Sequence, residues 1–180
     1  MKHYIRAYAY LVLLAGAIVF LDQLTKSWVR NTLAHGEVWM PWAWLAPYAR
    51  VVHWSNTGVA FGMFQGAGQV FTVLAMIVSA FIIFYYPRVP AGDWSLRLAL
   101  GMQLGGAVGN LIDRLQIGHV TDFISVGNFP VFNVADSSIT LGVAILLLGV
   151  WLQERKLKKR SCAEDRSASN PDAVEDSTTL

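Results

Sequence analysis

Four aspartates lie in or beside strongly apolar stretches of the sequence, where a carboxylate is expensive to place. They are Asp22, Asp113, Asp122 and Asp136. An ionisable side chain in such a setting is a candidate for a functional site. Asp122 and Asp136 stand out because neither has a basic residue next to it in sequence. An unpaired carboxylate in an apolar environment needs a reason.

Two carboxylates held close together cannot both ionise cheaply, so they share one proton. The ionised member can take a proton from water while the protonated member donates one to a carbonyl oxygen. Such a pair hydrolyses an amide without a covalent intermediate, and it predicts an aspartyl peptidase with Asp122 and Asp136 as catalytic residues. Asp136 lies near the start of a predicted helix, whose positive end favours a charged carboxylate. The sequence leaves open which aspartate holds the shared proton.

The other two aspartates have basic partners, so paired charges near a membrane interface are a competing interpretation for them. Asp22 lies one helical turn before Lys26, and Asp113 is followed directly by Arg114.

Other chemistries fit the sequence less well. His53 and Ser55 could join an aspartate in a catalytic triad, but they lie two residues apart on an apparent strand, without a nucleophile elbow. The histidines show no metal-ligand spacing, so we expect neither a metal nor another cofactor. The only cysteine, Cys162, excludes an internal disulfide.

The composition indicates that a membrane surrounds the elements that position these residues. Hydrophobic residues make up 54% of the chain and charged residues 14%, against roughly 25% charged in a soluble domain. Four apolar stretches of about 18 to 21 residues could each cross a hydrocarbon layer of ~30 Å as a helix, which predicts an all-α membrane protein with four transmembrane helices. They are residues 8–28, 69–86, 98–115 and 134–152. The first is interpreted as a retained anchor, because no small-residue cleavage site follows it.

Basic residues near the span ends predict the orientation, because they favour the cytoplasmic side. The N-terminus, the connection between the second and third spans and the C-terminal flank are basic, with Lys2, Arg6, Arg88, Arg97 and a cluster at 155–160. The other two connections, 29–68 and 116–133, carry only Arg30 and Arg50. Both termini are therefore predicted to be cytoplasmic. Outside these flanks the sequence has no segment in which basic and aromatic residues alternate, so it gives no indication of nucleic-acid binding.

This topology brings the unusual polar residues to one side of the membrane, at the outer ends of spans one, three and four. The third span shows how its neighbours could approach. Its small and polar residues form two stripes at i,i+4 spacing, which allow close helix packing in lipid. One stripe consists of Gly101, Gly105, Gly109 and Asp113, and the adjacent stripe consists of Met102, Gly106, Asn110 and Arg114.

The segments outside the spans are predicted to differ in character. Residues 37–48 are rich in Trp, Tyr and Pro, which is typical of an amphipathic piece lying at the membrane interface. Residues 50–54 alternate well enough for a short strand, and residues 87–93 suit a tight turn. The tail 153–180 is first basic and then polar, and it is predicted to be disordered.

Five sequence blocks resemble the ordered motifs of lipoprotein signal peptidase, also called signal peptidase II. They are DQLTK at 22–26, NTGVAFG at 56–62, GGAVGNLIDR at 105–114, VTDF at 120–123 and FNVADS at 132–137. Five blocks in this order over residues 8–152 are a specific signal.

The resemblance implies a bacterial inner-membrane enzyme, sensitive to globomycin, that removes signal peptides from prolipoproteins just before a diacylglyceryl-modified cysteine. It implies a catalytic dyad of Asp122 and Asp136 near the periplasmic face, in a chain expected to act as a monomer in contact with membrane lipid. The insert 29–68 is expected to form a small β cradle and a surface helix that covers the substrate. The same resemblance implies that ten residues line or brace the site: Asp22, Lys26, Asn56, Gly58, Gly106, Asn110, Asp113, Arg114, Asn133 and Ala135.

Two departures from the family pattern concern loop shape and substrate range. Thr121 stands where an apolar residue is common, and the stretch 123–135 is short. Two rival classes remain at this stage: a small transporter or channel that uses the aspartates as an ion pathway, and a non-catalytic scaffold. The first predicts polar residues spread through the membrane depth.

Overall fold

Four helices and three short strands make up the chain, in a computed structural model that describes residues 2–40, 42–58 and 68–169. The helices are α1 (Lys2–Thr32), α2 (Gly68–Tyr85), α3 (Trp94–Ile117) and α4 (Val134–Ser169). The strands are β1 (Val38–Trp39), β2 (Ala49–Asn56) and β3 (Val120–Val126). Three-residue 3-10 helices occur at Ala43–Leu45 and Tyr86–Arg88.

Three of the helices, within the described residues, are long and apolar enough to cross a membrane. These segments are Tyr4–Thr32, Gly68–Arg88 and Val134–Lys159. The predicted span at 98–115 forms most of α3, but the count of four spans is not confirmed, since α3 does not reach the same hydropathy. The physical reason is that α3 packs against all three other helices. Its surface is therefore built of glycines and polar side chains rather than of residues that face lipid.

The two stripes predicted on α3 are confirmed as packing surfaces. A Cβ at Gly101 or Gly105 would collide with Leu14 or Ile18 of α1, so this stripe lies against α1. A Cβ at Gly106 would lie 2.6 Å from Ile139 Cγ1 of α4. Because both stripes end in polar residues, close packing brings the ends of α1 and α4 to the same end of α3.

The buried charged side chains gather at one end of the bundle. Leu11 of α1, Ile82 of α2 and Leu100 of α3 belong to an apolar cluster near the α3 N-terminus. At the other end, buried charged and amide side chains lie between the helices, next to a second apolar cluster around Val29. This distribution is unlike the spread of polar residues that an ion pathway would need.

The strands form one antiparallel sheet in the order β1-β2-β3. The predicted strand at 50–54 is confirmed within β2, and it pairs with β3 so that Trp54 lies opposite Asp122. Strand β3 was not predicted, because residues 116–133 were expected to form only an outer connection. The predicted all-α fold with a small β cradle is therefore extended: the connection 29–68 supplies β1 and β2, and the connection 116–133 supplies β3.

The predicted interfacial piece at 37–48 exposes its aromatic side chains. Trp39, Trp42, Trp44 and Tyr48 are all largely accessible. Of the predicted surface helix, the described part of 29–68 contains the end of α1 and the three-residue helix Ala43–Leu45. Residues 59–67, including the end of the NTGVAFG motif, lie outside the described residues.

Helix α4 continues to Ser169, so the prediction of disorder from residue 153 is wrong for 153–169. This stretch contains Gln, Glu, Arg, Lys, Leu and Ala, which are strong helix formers that extend a helix already nucleated in the span. Residues 170–180 lie outside the described residues. At the other end of the bundle, Asp93 caps α3 by accepting a hydrogen bond from Leu96 N at 3.1 Å.

Candidate active site

Asp122 lies in the middle of β3 and is almost completely buried, with 1% of its surface exposed. Its Oδ2 accepts a hydrogen bond from Asn56 Nδ2 at 2.9 Å, which comes from the paired strand β2. Its Oδ1 accepts one from Asn133 Nδ2 at 2.7 Å. Each carboxylate oxygen therefore has an amide donor, and the strand pairing fixes where the side chain emerges.

Asp136 lies in the first turn of α4, in a reciprocal capping arrangement with Asn133. Asn133 Oδ1 accepts from Asp136 N at 2.9 Å, and Asp136 Oδ2 accepts from Asn133 N at 3.3 Å. This is the geometry of a capping box, in which the residue before the helix and its third residue satisfy each other's N–H groups. The helix start thus fixes the position of the Asp136 carboxylate.

Two asparagines connect the two aspartates. Asn133 contacts Asp122 through its side chain and Asp136 through its backbone. Asn110 Nδ2 donates to Asp136 Oδ1 at 2.8 Å, while Asn110 Oδ1 accepts from Asn133 Nδ2 at 3.1 Å. The amides hold both carboxylates without placing a formal charge against either.

A buried charged cluster lies behind the asparagines. Lys26 Nζ is fully buried and contacts Asp22 Oδ2 at 2.8 Å, Asp113 Oδ2 at 3.2 Å and Asn110 Oδ1 at 2.9 Å. Asp22 Oδ1 accepts from Ala135 N at 3.0 Å, so it also caps the first turn of α4. The cluster joins α1, α3 and α4 at the level of the two aspartates.

Both aspartates line one cavity of about 780 Å³, together with Asn56, Gly58, Asn110 and Arg114. Gly58 N donates to Asn56 Oδ1 at 2.9 Å, which orients the amide that binds Asp122. The rest of the lining is mostly apolar and comes from α2, α3, α4 and the loop before α4. The cavity therefore combines a carboxylate pair with a surface suited to an apolar ligand.

Burial and the negative charge of Asp136 raise the pKa of the Asp122 carboxyl from 3.8 to about 7. The amide donors of Asn56 and Asn133 and the charge of Lys26 oppose this rise without cancelling it. Asp122 can thus keep a proton near neutral pH. A carboxyl with this pKa, next to a second carboxylate, is suited to general acid and base chemistry.

Every residue predicted for the site lies in this region. Nine of the other predicted positions are linked to the two aspartates by hydrogen bonds, ion pairs or the packing of α3 on α4: Asp22, Lys26, Asn56, Gly58, Gly106, Asn110, Asp113, Asn133 and Ala135. Arg114 lines the same cavity, with its guanidinium 6.0 Å from the Phe71 ring centroid.

Sequence reasoning missed two members of the charged cluster. Gln23 Nε2 lies 3.2 Å from Asp113 Oδ1 and 3.0 Å from Gly109 O. Arg30 Nη1 lies 3.3 Å from Asp113 Oδ1. Gln23 lies in the DQLTK motif but was given no role in the site, and Arg30 was considered only as a basic residue in an outer connection.

The chain is similar to known proteins over most of its length. The family described as Signal peptidase (SPase) II matches residues 14–152. The lipoprotein signal peptidase of Shouchella clausii is 42% identical over 152 residues, which cover 84% of this chain and 97% of that protein. The lipoprotein signal peptidase of Dehalococcoides mccartyi is 43% identical over a region that covers 72% of this chain and 81% of that protein.

A solved bacterial membrane enzyme, determined by the in meso method at 2.3 Å, has a similar fold. It superposes with a TM-score of 0.74 at 27% identity, covering 80% of this chain and 88% of that one. With a family match over most of the length and relatives above 30% identity, the chain belongs to the signal peptidase II family of aspartic peptidases.

Proposed function

We propose that this chain removes signal peptides from diacylglyceryl-modified prolipoproteins, cutting just before the lipid-modified cysteine. The observation that carries the proposal is that Asp122 and Asp136 line one cavity and are both bonded by Asn133. Family membership and the names of the relatives support the substrate class.

Asp122 is assigned the shared proton and Asp136 the role of base. The pKa of about 7 supports this assignment for Asp122, and the N-terminal turn of α4 favours a negative charge on Asp136. Asp136 takes a proton from water as the water oxygen attacks the scissile carbonyl carbon, while Asp122 donates its proton to the carbonyl oxygen. The resulting gem-diol collapses as Asp136 gives its proton to the leaving nitrogen and the C–N bond breaks. Asp122 takes a proton from one gem-diol hydroxyl as the new carboxyl group forms, so the pair again holds one proton.

The remaining predicted residues are proposed to brace the pair or to contact the substrate. Lys26, Asp22 and Asp113 fix Asn110 and the start of α4, and Asn56 with Gly58 shapes the cavity edge. Arg114 is the cationic side chain in the cavity wall and is suited to a substrate carbonyl. Phe71, Leu74, Val78 and Ile139 supply apolar lining that fits lipid or signal-peptide side chains.

We further propose that α3 crosses the membrane as a fourth span, with both termini in the cytoplasm and the site near the periplasmic face. The basic flanks support this orientation. The chain is proposed to act as a monomer in contact with membrane lipid, because the groups that hold Asp122 and Asp136 all come from one chain.

The catalytic proposal is tested by cleavage of a diacylglyceryl-modified prolipoprotein by purified wild type, Asp122→Asn and Asp136→Asn. Asp93→Asn is the matched control, because Asp93 caps α3 at the opposite end of the bundle and asparagine caps equally well. We expect at least a thousand-fold loss in the first two variants, as an order of magnitude for removing an acid or base. Normal cleavage by either folded variant would show that its aspartate is not catalytic.

Orientation is tested by the single cysteine, Cys162, which follows the last span. A membrane-impermeant maleimide should leave Cys162 unlabelled in intact spheroplasts. It should label Cys162 once the membrane is permeabilised. Labelling without permeabilisation would reverse the proposed topology.

A further inference from the structure

Arg30, in the last turn of α1, closes a ring of contacts with α3 and β3. Its Nη1 lies 3.3 Å from Asp113 Oδ1 and 3.1 Å from Thr121 Oγ1. Asp113 Oδ2 in turn accepts a hydrogen bond from Thr121 N at 2.9 Å. Thr121 is therefore held through both its backbone and its side chain, and it is completely buried.

Thr121 directly precedes Asp122 on β3. Successive side chains of a strand point to opposite faces, so Arg30 anchors the strand from the face opposite the Asp122 carboxylate. On the other face, Asn56 and Asn133 bind that carboxylate. The strand is thus fixed from both sides at the two residues that decide where Asp122 lies.

Arg30 also completes the charge balance behind the site. Asp22 and Asp113 carry two negative charges, and Lys26 alone supplies one positive charge between them. Arg30 adds the second, and 26% of its side chain remains exposed. Without it, the cluster would carry a net negative charge beside the carboxylate pair.

The charged groups around Asp122 come from three helices. Asp136 on α4 disfavours its ionised form, and Lys26 on α1 favours it. Arg114 on α3 interacts with both aspartates of the cavity. Arg30 and Asp113 face the strand from behind.

We propose that Arg30 is a positioning residue for Asp122, acting through Thr121 and Asp113. The proposal rests on the function proposed above. Thr121 links Arg30 and Asp113 through separate atoms: its hydroxyl accepts from Arg30, and its backbone N–H donates to Asp113.

The test is the pH profile of prolipoprotein cleavage by wild type, Arg30→Gln, Arg30→Lys and Thr121→Val. Arg50→Gln is the matched control: Arg50 also bonds a hydroxyl of β3, Ser125 Oγ at 3.2 Å, but it forms no ion pair among the residues that the structure describes. We expect Arg30→Gln to lower kcat about tenfold with little change in KM. The alkaline limb of its pH–rate profile should move to higher pH by roughly half a unit, because losing a positive charge favours the protonated form of Asp122.

Arg30→Lys should return the limb to the wild-type position, since it restores the charge. Thr121→Val should lower kcat about threefold with an unmoved limb, and it serves as the test if Arg30→Gln does not fold. The inference is overturned if Arg30→Gln matches Arg50→Gln in both kcat and pH profile, or if Thr121→Val keeps the wild-type kcat. Failure of the wild type itself to cleave would instead refute the proposed function.

Discussion

Replacing Asn133 should separate the two ways in which this residue holds the carboxylate pair. Its Nδ2 donates to Asp122 Oδ1 at 2.7 Å, and its Oδ1 caps α4 by accepting from Asp136 N at 2.9 Å. Asn133→Ala removes both contacts. Asn133→Ser can keep the helix cap but is too short to reproduce the donor to Asp122.

The size of each effect follows from the type of hydrogen bond. Asp122 becomes charged as it gives up its proton, and a hydrogen bond to a charged group contributes about 1.5 to 3 kcal/mol. Loss of a helix cap costs about 1 kcal/mol. Asn133→Ser should therefore lower kcat by roughly 10- to 150-fold, and Asn133→Ala by about fivefold more. Only the alanine variant should lose the additional ~1 kcal/mol of stability from the cap.

Single-turnover cleavage and thermal unfolding in the same detergent measure the two effects separately. Both variants should also move the alkaline limb of the pH profile upward, because the amide of Asn133 lowers the pKa of Asp122 and its loss removes that opposition. The reasoning is refuted if the serine variant keeps wild-type kcat. It is also refuted if both variants lose activity only in proportion to the fraction unfolded.

Three further outcomes follow from the same geometry. Because Asp122 has a pKa of about 7, kcat should be sustained below that pH and should fall as pH rises through it, in a profile of single-turnover rate against pH. Gly106→Ala should lower activity by roughly a hundred-fold, because its Cβ would lie 2.6 Å from Ile139 Cγ1 and displace the start of α4; Gly16→Ala, where nothing lies within 4 Å, should be near wild type in the same assay. Lys26→Met should lower the free energy of unfolding by about 3 to 5 kcal/mol, because it strands buried carboxylates, and an unchanged melting temperature would contradict the ion pairs.

The sequence predicted the carboxylate pair and the packing surfaces of α3 because both depend on local spacing. Glycines at i,i+4 define a helix face wherever that helix lies. The partner of β2 was not predictable in the same way. Pairing of Trp54 with Asp122 joins segments far apart in sequence, and neither connection carries a local signal that names the other. The helix at 153–169 was not predicted because the polar composition of this stretch suggested disorder, although most of its residues favour helix.

The asparagines explain how a carboxylate pair can coexist with a strongly charged cluster. Within the described ranges, Lys26 and Arg30 form ion pairs with Asp22 and Asp113, and none is formed by Asp122 or Asp136. A lysine directly against either aspartate would favour its ionised form and oppose the shared proton.

Asn110 lies between Lys26 and Asp136 and prevents that contact. It is itself held in place by the charged cluster. Its Oδ1 accepts from Lys26 at 2.9 Å, which fixes the amide so that Nδ2 points to Asp136. A neutral side chain thus transmits position without transmitting a full charge. Asn110→Asp should for this reason be more damaging than Asn110→Ala: the aspartate would pair with Lys26 but place a third negative charge beside the pair. Equal kcat values for the two variants would show that Asn110 serves only to fill space.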